Sequence, residues 1–126
     1  MATALDLAPE EMAAYRAAAR RRHEHEQQAL IQRERQAWEL ARRGAALLRE
    51  QFGATRLMVF GSLVHEQCFT PWSDVDIAAW GIRNQDTLRA IGVVMDLGRE
   101  IEVNLVDVQT CSTSLLAAIE QEGVEL

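Results

Sequence analysis

One stretch decides the fold of this chain: residues 57–77, LMVFGSLVHEQCFTPWSDVDI. It opens on four apolar residues, 57–60, which predict a buried strand. Gly61 and Ser62 come next and predict a turn. After a short helical piece and a loop, a second apolar strand begins. The stretch therefore predicts a strand–turn–strand unit around which the rest of the chain is organised.

The second strand is predicted to carry two carboxylates, Asp74 and Asp76. Side chains two apart on a strand share a face, with Cα atoms roughly 6.5–7 Å apart, so both carboxylates are expected on one face while Val75 and Ile77 face the core. Two adjacent carboxylates repel each other unless a cation lies between them. Pairs of divalent ions about 4 Å apart occupy such sites in phosphoryl-transfer enzymes. Asp74 and Asp76 are therefore predicted metal ligands.

The Gly–Ser turn supplies the other part of such a site. Glycine lets the backbone approach a phosphate closely, the next N–H groups along the chain point at it, and a hydroxyl can donate to it. Gly61 and Ser62 are therefore candidate nucleotide-binding residues.

The pattern of GS, eleven residues and then DVD resembles the nucleotidyltransferase superfamily of DNA polymerase β. It is most similar to the minimal members, which include the antitoxin partners of HEPN toxins. The resemblance runs from about Phe52 to the C-terminus and includes the segment FTPWSDVDIA. It also includes the tail IEQEGVEL, which looks like the family's closing helix. A DxD pair alone is a weak signal, whereas an apolar strand, a GS turn and a DxD strand at this spacing form a much stronger one.

The resemblance implies a function, ligands and a partner. Asp74 and Asp76 would hold two Mg²⁺ ions, and Gly61 and Ser62 would grip the phosphates of ATP. The enzyme would move AMP from ATP onto a hydroxyl of a protein partner. That partner would be a HEPN-type ribonuclease toxin encoded alongside, which adenylylation would silence and with which the chain could form an oligomer.

This chain departs from the family at the third acid of the site. Relatives place it on the strand after the crossover helix, where this chain has Asn104. Asparagine offers a carbonyl oxygen to a metal but brings no charge and cannot take a proton. Glu102 is expected on the same strand face with a longer reach. It either replaces the missing acid in part or is a surface residue beside a weakened site, so Glu102 and Asn104 are both candidate catalytic residues.

Composition limits the classes of function. The chain has 126 residues, 48% of them apolar, which suffices for one modest core. It has no 18-residue apolar run and no signal-peptide pattern, so we expect a cytoplasmic protein with no membrane span. Two cysteines, Cys68 and Cys111, lack CxxC spacing and are expected to be reduced thiols.

Charge is divided unevenly along the chain. Residues 1–50 contain nine Arg and eight acidic residues, and residues 51–126 contain four Arg and eleven acidic residues, which gives +1 and −7 and the total of −6. Nucleic-acid binding depends on many basic contacts to phosphate, so an acidic half is poorly suited to it. We therefore expect a site for magnesium and a nucleotide, and nucleic acid is disfavoured as a direct ligand.

Residues 1–51 predict a helical arm, because nearly all are good helix formers. Residues 16–36 are mostly polar, whereas residues 38–52 have apolar side chains at helical spacing and should pack on the catalytic domain. The predicted division is an arm, 1–51, and a minimal nucleotidyltransferase domain, 52–126. The arm forms a long helix or a helical hairpin. It is a candidate partner-binding surface, and the alternative is a solvated helix stabilised by Arg–Glu pairs.

The remaining sequence predicts a helix from Asn84 or Asp86 to Leu97, a strand over residues 101–106 and a final helix to Gln121. The inward face of the first of these helices is predicted to consist of Leu88, Ile91, Val94, Met95 and Leu97. The expected fold is an α/β (α+β) nucleotidyltransferase-like fold with a small mixed sheet and helices packed on one face.

Two functions of other classes stay open. One is a degenerate transferase that neutralises its partner by contact through the N-terminal helix, and Asn104 is its chief support. The other is an enzyme that acts on a small molecule such as an aminoglycoside. That enzyme needs an acceptor pocket, and this chain has few residues left to build one.

Overall fold

The structure is a computed structural model that describes residues 8–126. Its first element is one uninterrupted helix, α1 (Pro9–Phe52), so the long helix is found rather than the hairpin. The chain divides within α1 into two compact units, residues up to 32 and residues 33–126. The boundary predicted at 51/52 lies further along the same helix. The first seven residues of the predicted arm are outside the described residues, and the arm's role as a partner surface stays a prediction.

The described part of the first unit, residues 8–32, is the N-terminal portion of α1. Its side chains are mostly exposed, including the large apolar side chains of Tyr15 and Ile31. Acidic residues at 10 and 11 lie in the first turn, where their negative charge interacts favourably with the positive end of the helix dipole.

The second unit contains the rest of α1, and that part has a buried stripe. Small and apolar side chains recur there every three or four residues. The buried members are Ala37, Ala41, Gly44, Ala45, Leu48 and Phe52. This confirms that residues 38–52 pack against the rest of the second unit, and the unit with the sheet begins at Arg33 rather than at residue 52.

Four strands form one mixed sheet in the order β3-β2-β1-β4. The strands are β1 (Arg56–Phe60), β2 (Val75–Trp80), β3 (Val103–Asp107) and β4 (Val124–Glu125). β1 is antiparallel to β2 and β4, whereas β2 and β3 are parallel. Parallel neighbours need a crossover, which contains α2 (Thr87–Met95), and α3 (Thr113–Glu122) comes after β3.

Helices pack on both faces of this sheet. Ile77 of β2 is fully buried and lies against Gly44 of α1. Neighbouring residues on a strand point to opposite faces, so Ala78 lies on the second face. There it packs in a cluster with Met58 of β1 and Ile119 of α3. The small mixed sheet is as predicted. Helices were expected on one face only, and the structure differs there because α3 covers part of the second face.

The tail resembling a closing helix is only partly helical. α3 ends at Glu122, and Val124 and Glu125 form β4, paired with Val59 and Met58 of β1. β1 would otherwise expose an unpaired edge, and the last residues satisfy its backbone groups. The final helix predicted to end at Gln121 is confirmed to within one residue, whereas the likeness of the tail to a closing helix does not extend to Val124 and Glu125.

The inward face predicted for α2 is also wrong in two positions. Leu88 and Met95 are exposed, at 83% and 44% of their surface. Ala90 and Val94, four residues apart on one helix face, are the buried residues of α2. Leu88 and Met95 are seven apart and lie on another face. No helix within residues 8–126 is long and apolar enough to cross a membrane.

Asp107, at the end of β3, is a buried acid that the sequence did not single out. Its carboxylate accepts hydrogen bonds from the Thr87 hydroxyl at 2.6 Å and from the Gln109 backbone N–H at 3.1 Å. These bonds join the start of α2 to the end of β3. Asp107 therefore has a structural role in holding the start of α2 against the end of β3.

Candidate active site

The candidate site lies where the start of β2 is beside the end of β1 and the start of β3. Asp76 is paired with Phe60 in the antiparallel ladder and with Asn104 in the parallel ladder. Residues paired in register share a face of the sheet. Nδ2 of Asn104 donates a long hydrogen bond of 3.4 Å to Oδ1 of Asp76. The structure therefore brings together Asp76 and Asn104, two of the residues predicted to form the site.

The Gly–Ser turn lies directly against the same carboxylate. Gly61–Val64 form one 3₁₀ turn immediately after β1, and Gly61 has φ +81°. A Cβ at Gly61 would be 2.7 Å from Oδ2 of Asp76, closer than real Cβ atoms approach oxygen. Gly61 is therefore needed for its conformation and for the close approach to Asp76. Fifteen residues apart in sequence, the two halves of the predicted site are adjacent in space.

Asp74 is placed differently from the expectation. β2 begins at Val75, so Asp74 lies one residue before the strand, and its side chain is half-buried. The expected alternation holds inside the strand, where Val75 and Ile77 are fully buried. The ladder of β2 therefore orients Asp76 but does not by itself orient Asp74.

The surroundings of Asp76 disfavour its charge. Burial raises the pKa of the Asp76 carboxyl, the hydrogen bond from Asn104 lowers it, and the negative charge of Asp74 raises it further; the balance is a raised pKa. Removal from water and a like charge nearby both penalise the ionised form. A cation between Asp74 and Asp76 would relieve both penalties, as expected for two neighbouring carboxylates.

Glu102 does not join the two aspartates. It precedes β3, its side chain is exposed, and its backbone carbonyl accepts a hydrogen bond of 2.9 Å from Val75 N–H. Within residues 8–126, no three side chains of Asp, Glu, His or Cys form a group that could hold a metal ion. Of the two candidates for the third position, Asn104 is the one beside Asp76.

The donor set suits magnesium. Mg²⁺ binds oxygen ligands, usually one or two carboxylates with waters and substrate phosphates, rather than a cage made only of protein. Asp74 and Asp76 would supply the carboxylates, and backbone N–H groups of the turn at Gly61 would be the donors to a phosphate. An amide of Asn104 turned over would offer its oxygen, because the O and N of an amide are assigned from their hydrogen bonds.

His65 and Trp72 lie close in sequence to the two halves of the site. His65 is the basic residue that follows the GS turn most closely. Nε2 of His65 lies 3.2 Å from the Glu122 carboxylate of α3, so it is engaged with an acid. Trp72 is 86% exposed and lies two residues before Asp74.

Sequence reasoning missed Arg33 of α1. Its guanidinium donates to the backbone carbonyl of Ser73 at 3.2 Å and to that of Glu100 at 3.3 Å. Ser73 immediately precedes Asp74, and Glu100 lies in the turn that leads to β3. The sequence carries no signal for this role, because Arg33 is one of nine arginines in residues 1–50.

These features define a nucleotidyltransferase-like fold, and comparisons with known proteins agree. No family model matches the chain, and no curated protein matches it. The fold is similar to a crystal structure of the toxin–antitoxin MntA–HepT, with a TM-score of 0.52, 21% identity, and coverage of 70% of this chain and 69% of that chain. It is also similar to a mutant of that toxin–antitoxin, with a TM-score of 0.53, 26% identity, and coverage of 65% and 67%.

These structural neighbours confirm the fold that the resemblance implied. They are consistent with a minimal nucleotidyltransferase antitoxin, at low sequence identity.

Proposed function

We propose that this chain is a magnesium-dependent nucleotidyltransferase that moves AMP from ATP onto a hydroxyl of a protein partner. One observation carries the proposal: the Gly61 turn lies so close to Asp76 that a Cβ would be 2.7 Å from its carboxylate oxygen. A phosphate-binding turn and a metal-binding carboxylate must be this close if one nucleotide is to contact both.

The chemistry is set by the residue types at the site. Asp74 and Asp76 would hold two magnesium ions, and Gly61 and Ser62 would bind the β- and γ-phosphates of ATP. The bound metal would neutralise charge on the phosphate oxygens during transfer. The acceptor oxygen attacks the α-phosphorus in line, and the bond from that phosphorus to pyrophosphate breaks. Asn104 cannot take the acceptor's proton, which leaves the carboxylates of Asp74 and Asp76 as proton acceptors on this chain.

The structural neighbours support a toxin–antitoxin role. We infer that the acceptor belongs to a HEPN-type toxin, which adenylylation silences. A cavity of about 510 Å³ between α1 and residues 96–101 is lined by none of the site residues, so it provides no acceptor pocket at the site. A small-molecule acceptor needs a pocket that few residues of this chain are left to build, which favours an acceptor supplied by a protein.

The direct test is transfer of label. The purified chain is incubated with magnesium, the HEPN-type protein encoded beside it, and ATP labelled at the α-phosphorus. We expect magnesium-dependent label on the partner, and none when the label is at the γ-phosphorus. Label from the γ-phosphorus would indicate a kinase, and no label in either case would contradict the proposed function.

The binding-module alternative rests on Asn104 and has its own test. Removing residues 1–28 deletes most of the first unit and keeps one further helical turn before Arg33. If inhibition of the toxin survives changes at Asp74 and Asp76 but is lost in the truncated chain, the protein acts by contact and the enzyme hypothesis is wrong. If inhibition depends on transfer of label instead, the enzyme hypothesis holds.

Ser62→Ala should weaken nucleotide binding modestly. A typical hydrogen bond contributes about 0.5–1.5 kcal/mol, and more when its partner oxygen is charged, so we expect a several-fold rise in the KM for ATP with little change in melting temperature. The measurement is the rate of transfer against ATP concentration. An unchanged KM would mean that the Ser62 hydroxyl does not contact the phosphates.

Asn104→Asp should raise the rate of transfer and lower the magnesium requirement, each by roughly tenfold, the scale of a tuned metal site. A carboxylate binds a hard divalent cation better than an amide oxygen does, and position 104 is beside Asp76. Glu102→Gln is the matched comparison and should change little, because Glu102 is exposed. If Glu102→Gln is instead the damaging change, Glu102 serves as the third acid.

A further inference from the structure

We propose that Arg33 is a positioning residue for the metal site: it fixes the two loops that lead into β2 and β3 and so orients Asp74. This inference deepens the proposed function and rests on it, because Asp74 is assigned there as a magnesium ligand. Arg33 belongs to the same compact unit as the sheet.

The contacts of Arg33 converge on both loops at once. One guanidinium nitrogen donates to the Ser73 carbonyl at 3.2 Å, and the other terminal nitrogen donates to the Glu100 carbonyl at 3.3 Å. The two loops are also joined to each other, because Val75 N–H donates to the Glu102 carbonyl at 2.9 Å. Arg33 therefore links α1 to the loops that lead into β2 and β3, and these two loops are also hydrogen-bonded to each other.

Hydrogen bonds within the loop before Asp74 fix residues 70–73, and Arg33 binds the last of these residues. Thr70 N–H donates to Oγ of Ser73 at 2.9 Å, and Ser73 N–H donates back to the Thr70 carbonyl at 3.1 Å. These bonds close a turn over residues 70–73. These bonds do not fix the peptide between Ser73 and Asp74. Its carbonyl oxygen, that of Ser73, is the group to which Arg33 donates.

Asp74 depends on this contact more than Asp76 does. Asp76 lies between two ladders, paired with Phe60 and with Asn104. Asp74 precedes the strand and has no ladder partner. A metal ligand outside regular structure needs a neighbour to hold its backbone, and outer-shell contacts of this kind typically tune metal affinity.

Arginine suits this position better than lysine. Its planar fork presents two donors in a fixed geometry, which matches two separate carbonyls. The guanidinium also lies 6.0 Å from the centre of the Phe69 ring, and its Nε is buried without a hydrogen-bond partner among the described residues. The two terminal nitrogens of Arg33 therefore make its hydrogen bonds, whereas its buried Nε makes none among the described residues.

The test measures metal binding without nucleotide or transfer. Mn²⁺ serves as a spectroscopic probe for magnesium, and its affinity is measured for the parent chain, Arg33→Met and Arg33→Lys. We expect roughly tenfold weaker Mn²⁺ binding in Arg33→Met, a smaller loss in Arg33→Lys, and faster amide hydrogen exchange over residues 73–76 in both. The half-saturating magnesium for transfer should rise in parallel, with the KM for ATP changing less.

Arg49→Met is the matched control. Arg49 is also on α1 and donates to a backbone carbonyl, that of Leu126, which lies beside β1 rather than at the loops before β2 and β3. We expect Mn²⁺ affinity to be unchanged in this variant. All measurements are made below the melting temperature of each variant, and if Arg33→Met does not fold, Arg33→Lys decides.

The outcomes separate this inference from the proposed function. Unchanged Mn²⁺ affinity and hydrogen exchange in the Arg33 variants would overturn the positioning role, even if the parent chain transfers AMP. A loss shared equally by Arg49→Met would overturn it as well, because it would report general stability. A parent chain that binds Mn²⁺ through Arg33-dependent loops but transfers no AMP would overturn the proposed function alone.

Discussion

Replacing Asp76 with asparagine should abolish magnesium-dependent transfer while leaving the fold intact. We expect a loss of more than about 100-fold, since even residues that only support a metal ligand are worth 10–100-fold. Asparagine has nearly the same shape, and its oxygen can still accept the hydrogen bond that Asn104 donates to Asp76. Asp74→Asn should have the same effect on transfer. The measurement is label transferred to the partner at saturating ATP and magnesium.

The same substitution should stabilise the chain in metal-free buffer. Burial and the charge of Asp74 raise the pKa of Asp76 in the folded chain, so the folded state binds this proton more tightly than the unfolded state does. The stability contributed by the protonated form is present below the ordinary pKa and is lost as the pH rises through the raised folded pKa. At neutral pH the ionised carboxyl therefore costs stability, and Asp76→Asn should raise the melting temperature.

Asp107→Asn is the matched control for this prediction. Its carboxylate is buried and accepts two hydrogen bonds, from Thr87 and Gln109, and an amide has only one oxygen to accept them. We expect a loss of about 1–3 kcal/mol for an unsatisfied buried group, with transfer reduced only as far as the folded fraction falls. Retained transfer in Asp76→Asn would rule out the two-metal assignment, and a large loss of its stability would mean that Asp76 is structural.

Gly61→Ala should reduce transfer by more than about tenfold, since a small misplacement at a reacting centre can cost 100-fold. The added Cβ would lie 2.7 Å from Oδ2 of Asp76, so the carboxylate must turn away or the turn must move. The left-handed conformation, φ +81°, adds about 1–2 kcal/mol of backbone strain for a residue other than glycine. The nucleotide then meets a displaced carboxylate and a blocked turn. Transfer rate and ATP affinity are measured together, with the melting temperature.

Gly53→Ala separates the strain from the collision. Gly53 also has a left-handed backbone, φ +70°, but a Cβ there would have nothing within 4 Å among the described residues. We expect a similar loss of stability from backbone strain and transfer close to that of the parent chain. If Gly61→Ala binds ATP and transfers AMP as the parent does, the phosphate turn lies elsewhere.

Local patterns predicted the elements that carry the site. Apolar runs with period two indicated the buried face of β2, where Val75 and Ile77 have no exposed surface. A glycine before a serine predicted the turn at Gly61, whose backbone is left-handed. Such features depend on residues within a few positions of one another, so a sequence determines them. The same reasoning failed for Leu88, because helical spacing defines faces without saying which face the sheet will cover.

Contacts between distant residues were decided by the tertiary structure alone. The sequence by itself determined a GS turn, an aspartate pair and an asparagine at position 104, and its resemblance to a known superfamily implied a nucleotidyltransferase-like fold. Only the register of the sheet brings Gly61 and Asn104 to the two sides of Asp76. Only the packing of α1 selects Arg33 from nine arginines to hold the loops before β2 and β3. The reason is physical: periodicity fixes the direction of a side chain on its own element, whereas its partner depends on how separate elements pack.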